Sequence, residues 1–110
     1  MASEISGSDN FSSASGGCSA WVDFDGATAA IKDQHNIASV VRNSTGEWTL
    51  TFTTALADAN YAIVGSSNNS TGNRVVTFPT KSTTGFTVKC VNFSSTDADA
   101  PISIIIFGGK

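Results

Sequence analysis

Apolar and polar residues alternate one for one through segment after segment of this chain, a period that a pleated strand satisfies and a helix does not. The cleanest case is Glu47-Trp-Thr-Leu-Thr-Phe-Thr53, with Trp48, Leu50 and Phe52 on one face and Glu47, Thr49, Thr51 and Thr53 on the other. Cys18-Ser-Ala-Trp-Val-Asp-Phe-Asp-Gly26 repeats it. Cys18, Ala20, Val22 and Phe24 make an apolar face, and Ser19, Trp21, Asp23 and Asp25 the opposite one. Asp25-Gly26 then supplies turn chemistry, since Gly tolerates positive φ and Asp hydrogen-bonds the backbone ahead of it. One side chain breaks the rule. Trp21 stands on the polar face, where a solitary soluble domain has little use for an indole.

The remaining segments extend the pattern. Residues 27–32 predict a short second strand, 33–36 a polar connection, and 37–43 a strand of mixed alternation ended by the turn Ser44-Thr-Gly46. Residues 55–60 have some helical leaning but are too few to hold a helix, so a loop or single turn is expected. Strands are predicted at 61–66, 74–78, 86–93 and 101–107, with a long polar loop at 67–73, a turn at 81–84 and a loop at 94–100. Within 86–93, Phe86, Val88 and Cys90 share one face, while Val91 and Phe93 fall on the other. The last strand starts at Pro101, since proline is tolerated at a strand's first residue, where no ladder donor is lost. It is apolar on both faces: Ile102, Ile104 and Ile106 one way, Ile105 and Phe107 the other. Such a strand needs cover on both sides. About seven to eight short strands separated by turn signals predict an all-β fold, an antiparallel β-sandwich of jelly-roll type.

At 110 residues the chain is read as one domain. Residues 1–17, dominated by Ser and Gly with no sustained apolar period, read as a flexible arm or attachment segment, and 18–110 as the β-sandwich. The arm has neither the basic start nor the apolar centre of a secretory signal, and no apolar run is long enough for a membrane-crossing helix. Membrane insertion is not expected. The net charge is −3, and the six Lys and Arg residues are scattered, no two adjacent. A phosphate-binding surface needs clustered cations, so nucleic acid is not an expected partner. Two cysteines, Cys18 and Cys90, do not make a disulfide scaffold and read as small buried hydrophobes. A domain this small lies near the size at which a lone core is marginal, which makes self-association the expected stabiliser.

Catalytic equipment is sparse. The one histidine, His35, lies in a polar stretch between Gln34 and Asn36, a setting more typical of a solvated loop residue than of a general base. Asp23/Asp25 and Asp97/Asp99 carry oxygen donors, yet nothing completes a recognisable ligand set for Ca²⁺. No Cys/His cluster and no phosphate-loop, dinucleotide or zinc signature occurs. No catalytic residue, metal or cofactor is assigned. Two features remain. Trp21, Val91, Phe93, Ile105 and Phe107 are apolar on faces that their own strands mark as outward, and are expected to form a patch buried by other copies of the chain. Closed rotational symmetry is the default for such association. The polar connections, with Gln34, His35, Asn36, Asn68, Asn69, Thr71 and Asn73, offer amides and hydroxyls for hydrogen bonding to sugars or protein surfaces.

The order of blocks is also specific. Cys18-x-Ala-Trp-Val-Asp-Phe-Asp-Gly26, Ala30-Ile31, Asn36-Ile-Ala-Ser-Val40, Gly46-x-Trp-Thr-Leu-Thr-Phe-Thr-Thr54 and Asp58-x-Asn-Tyr61 resemble a carboxy-terminal domain of bacteriophage tail-fibre and other virion proteins, frequent in phages of aquatic bacteria. The resemblance spans about residues 18–107 and is strongest over 18–61. It implies a non-enzymatic β-sandwich virion protein, a homotrimer by preference, assembled in the bacterial cytoplasm and presenting loops to host-surface glycans. Capsid decoration or tail assembly, with only other virion proteins as partners, is the alternative; a lectin-like carbohydrate-binding module is a second. Members of this kind commonly carry an upstream stalk. Here the Ser/Gly arm starts at Met1, which suggests a small separate subunit, or an excised domain, that docks onto another virion protein through that arm.

Overall fold

The computed structural model of the chain describes residues 17–68 and 74–109. They form eight strands: β1 (Cys18–Asp25), β2 (Ala30–His35), β3 (Ile37–Ser44), β4 (Glu47–Phe52), β5 (Tyr61–Ser67), β6 (Arg74–Thr77), β7 (Gly85–Asn92) and β8 (Ile102–Gly108). Two four-stranded antiparallel sheets result, ordered β2-β1-β8-β5 and β3-β4-β7-β6. The first and last strands are therefore neighbours at the centre of the first sheet, and β4 and β7 occupy the centre of the second. The expected all-β sandwich is what forms.

The alternation read from the sequence is the packing rule. Ala20, Val22 and Phe24 of β1 and Ile102, Ile104 and Ile106 of β8 face inward from one sheet. Trp48, Leu50 and Phe52 of β4 and Phe86, Val88 and Cys90 of β7 face them from the other. Phe24 meets Trp48 edge to face at 5.5 Å, and Phe52 meets Tyr61 likewise at 5.6 Å, the arrangement that ring quadrupoles favour. Each buried polar tip finds a carbonyl. The Trp48 indole Nε1 donates to Gly26 O at 2.9 Å, and the Tyr61 hydroxyl lies 2.9 Å from both Ser82 O and Gly85 O. Gly26 also donates its N–H to Ala100 O at 3.1 Å, so the β1 turn, the core indole and the approach to β8 are tied at one point. No side chain fits at residue 26, where a Cβ would stand 2.2 Å from Ala100 O.

Local chemistry departs from the sequence reading in three places. Residues 26–29 are a turn and β2 runs on to His35, so the polar stretch 33–36 is strand plus a single corner residue rather than a connection. Asp25 Oδ1 accepts the Ala27 N–H at 2.9 Å and Ala29 takes φ 60°, which delays the strand. As an edge strand, β2 can then carry the polar run Lys32–His35 after Ile31. Cys18 leaves the inner face, because an irregularity between Cys18 and Ala20 sets Cys18 opposite Phe107. Ser19 is buried in its place, with Oγ donating to Gly108 O at 2.6 Å. Cys90 is buried as expected, and both thiols are free. β8 keeps the phase read from the sequence: its inner face is covered within the chain, and its outer face, with Ile105 and Phe107, is not.

The knot around residue 26 sets an expectation for stability. Trp48→Phe keeps the ring packing but orphans Gly26 O, a loss of about 1–2 kcal/mol in urea unfolding. Gly26→Ala forces β1 from Ala100 and is expected to cost more than the indole bond does. An alanine variant as stable as the parent chain would refute that packing.

Candidate functional site

Antiparallel register arranges the outer face of the first sheet into rows, because residues directly opposite share a face. One row reads His35, Trp21, Ile105, Val64 across β2, β1, β8 and β5. Beside it Phe107 lies between Cys18 and Ala62. On the other side runs a polar row, Asp33, Asp23, Ser103, Ser66. Val64 is 64% exposed, Ile105 44% and Phe107 43%, and Trp21 is half-buried. Nothing in the chain's described residues covers this face. It is an apolar band roughly 10 Å across at the usual spacing of three strands, edged by carboxylates.

Three of the five side chains expected in one patch therefore do meet: Trp21, Ile105 and Phe107. Val91 and Phe93 do not join them. Val91 lies on the outer face of the second sheet opposite Val75, and Phe93, 73% exposed, occupies the turn beyond β7. The sequence reading joined them because outward phase alone does not say which sheet a strand enters. It also missed Val64 and Ala62. Their signal was present, since Tyr61, Ile63 and Gly65 alternate with Ala62, Val64 and Ser66, which puts a valine on the open face.

The polar residues singled out for recognition have other work. Asn36 turns the corner between the sheets with φ 58°, a conformation asparagine tolerates better than most residues. Its Oδ1 accepts the Thr54 N–H at 2.8 Å, and its Nδ2 donates to Thr54 O at 3.1 Å and Ser19 O at 3.3 Å. Gln34 Oε1 accepts the Ile37 N–H at 3.0 Å. These two amides hold the corner together. His35 is exposed and lines a shallow polar depression with Ser19, Gln34, Asn36, Thr53 and Thr54. Asn68 Nδ2 donates to Ser103 Oγ at 2.8 Å, and Ser103 Oγ in turn donates to Asp23 Oδ1 at 3.2 Å. Asn69, Thr71 and Asn73 lie outside the described residues, as do residues 1–16 of the arm.

The two acidic pairs are not gathered into a site. Asp97 faces Lys89 Nζ at 3.6 Å, across from Glu47 at 3.7 Å. Asp99 takes Arg42 Nη2 at 2.8 Å on Oδ2 and the Gly46 N–H at 2.8 Å on Oδ1. Burial pushes the Asp99 carboxyl up, but the Arg42 and Gly46 hydrogen bonds and the Arg42 charge outweigh it, and the group titrates below its ordinary value. Burial likewise pushes the Cys90 thiol up, only partly offset by the Arg74 charge, which leaves that sulfur a poor nucleophile. Among the described residues, no three of His, Cys, Asp or Glu are grouped to hold a metal ion.

A lowered folded-state pKa stabilises the fold above the unfolded value, near pH 4, and that contribution fades as the pH falls through the folded one. Asp99→Asn keeps an acceptor for Gly46 and loses the charge. It is expected to cost about 1 kcal/mol at pH 7, because Arg42 is partly exposed and its ion pair correspondingly weak. The acid limb of the stability curve below pH 4 should flatten in the same variant; an unchanged limb would show that Asp99 is not its source. No protein-family model, curated protein or solved structure matches the chain.

Proposed function

We propose that the chain is a non-enzymatic structural subunit of a bacteriophage virion, of the tail-fibre type, that works as a homo-oligomer with three-fold symmetry favoured. One observation carries the reading: the uncovered band of Trp21, Ile105, Val64 and Phe107 on the first sheet. Outer faces of soluble sheets alternate to polar residues, and a contiguous apolar band is retained where another surface removes it from water. Copies of the same chain are the simplest cover, since each supplies the same band. The order of sequence blocks that resembles virion domains supplies the biological setting. Multivalent display on such an assembly raises the avidity of weak sites by about 10²–10⁴.

The hydrogen bonding of the corner favours a second reading, in which the partners are other virion proteins alone, as in capsid decoration or tail assembly. Gln34 and Asn36 use their amides to join the two sheets, so two of the three polar side chains at this corner are engaged within the chain. A glycan array separates the two: the attachment reading expects binding by the assembled protein, and the assembly reading expects none.

Trp21→Glu tests the common part. Burying a large apolar side chain contributes about 1.5–3 kcal/mol, so a charge in its place should weaken each contact at least tenfold. Light scattering on a size-exclusion column should give three chains, or a multiple of three, for the parent and fewer for the variant. Equal masses would end the interface reading. The matched control Val41→Glu, on the outer face of the other sheet, is expected to leave the mass unchanged.

A further inference from the structure

Four strand edges terminate the two sheets, and three are guarded. β2 is irregular at its pairing with β1 between Asp23 and Phe24 and carries Lys32 and Asp33. β3 has two irregularities against β4 and bears Arg42. β6 is only four residues long. Bulges, charges and shortness are the devices that keep an edge from adding another strand. β5 has none of them among its own residues, and Lys81 reaches only the Tyr61 carbonyl at one end. Its seven residues, Tyr61-Ala-Ile-Val-Gly-Ser-Ser67, pair with β8 without a register shift and include no charged residue and no proline.

The direction of its backbone groups follows from the ladder. The Asn68 N–H donates to Pro101 O at 2.8 Å, continuing the β5–β8 pairing one step past Ser67 and Ile102. Antiparallel residues alternate between pointing at the partner and pointing away. Ala62, Val64 and Ser66 thus turn their N–H and C=O toward β8, and Ile63 and Gly65 turn theirs to the open side. Lys81 agrees from that side: its Nζ donates to Tyr61 O at 2.8 Å, at one end of the edge.

We propose that β5 pairs edge to edge with β5 of a second copy about a two-fold axis at Val64, joining two first sheets into one of eight strands. That axis sets Ile63 opposite the partner's Gly65, in the alternation where both turn their backbone groups outward, so the two strands can exchange hydrogen bonds on either side of the axis. Val64 meets its own copy, and Ala62 meets the partner's Ser66. No charge opposes a like charge, which any self-pairing of β2 or β3 would risk. The second copy is favoured as occupant because the apolar row also continues. Trp21, Ile105 and Val64 of one chain run directly into the partner's Val64, so one contact extends the band across both chains. The contact is distinct from packing on the outer face and does not need it.

The test disables that face first. In a Trp21→Glu, Cys18→Ser background, Val64→Cys should form a disulfide-linked dimer under mild oxidation, because directly opposed residues lie within disulfide reach. Val41→Cys, also exposed, serves as control and should stay monomeric. Adding Ala62→Lys with Ser66→Lys opposes like charges across the axis and should abolish the crosslink. Ala62→Lys with Ser66→Glu opposes unlike charges and should restore it. No crosslink in the first variant, or one no greater than the control's, overturns the proposal; a strand supplied by a different protein would give that result with the purified chain. A crosslink indifferent to the charge pairs overturns the register. Oligomers of the parent that vanish with Trp21→Glu while the Val64 crosslink persists leave both contacts standing independently.

Discussion

The pairing of the first strand with the last is the constraint on which the rest of the molecule depends. β8 lies between β1 and β5, so three of the four strands of the first sheet exist as a sheet only through it. Its Ile102, Ile104 and Ile106 are wholly buried and supply much of the inner face opposite Trp48 and Leu50. Its outer face carries Ile105 and Phe107. One segment thereby builds the core and exposes the band, which explains why it is apolar throughout. Removing the outward side chains would not harm the core, and their presence asks for a reason outside the single chain.

Most of the architecture was legible because a period of two leaves little choice. Glu47–Phe52 and the inward phase of β1, β7 and β8 follow directly from the residues. What the residues did not disclose is of three kinds. A one-residue irregularity changes the face of everything before it, which moved Cys18 outward and Ser19 in. Polar side chains do not end an edge strand, so Asp33, Gln34 and His35 belong to β2 despite reading as a connection. Strand phase is relative, so Val91 and Trp21 are both outward yet on different sheets. The band itself was half visible: Trp21, Ile105 and Phe107 announced it, and Val64 was concealed by a short strand whose alternation looked unremarkable.

The polar residues divide by the same logic. Asparagine and glutamine side chains in a β-rich protein are commonly read as a recognition surface, yet at the corner between β2 and β3 they do what backbone does elsewhere. Asn36 accepts from and donates to Thr54, imitating one more rung of a ladder where the chain is changing sheets. Asp99 does the equivalent at the opposite end of β3, anchoring Gly46 and Arg42. Composition alone does not separate an amide that closes a fold from one that is offered to a ligand; the number of donors and acceptors already engaged does.

A sheet completed by its final strand has a consequence for biosynthesis. Pairings between residues from opposite ends of a chain form late and slowly, since the intervening loop must close before any contact rewards it. Until residues 102–108 emerge, the strand bearing Trp21 and the one bearing Val64 each have an open flank and no central member between them. A nascent or truncated chain of this kind is a sticky, half-built layer, open to chaperones and proteases until β8 is in place. Only a chain that includes residues 102–108 carries the complete band, which makes synthesis of β8 the step that brings Trp21 and Val64 into one surface.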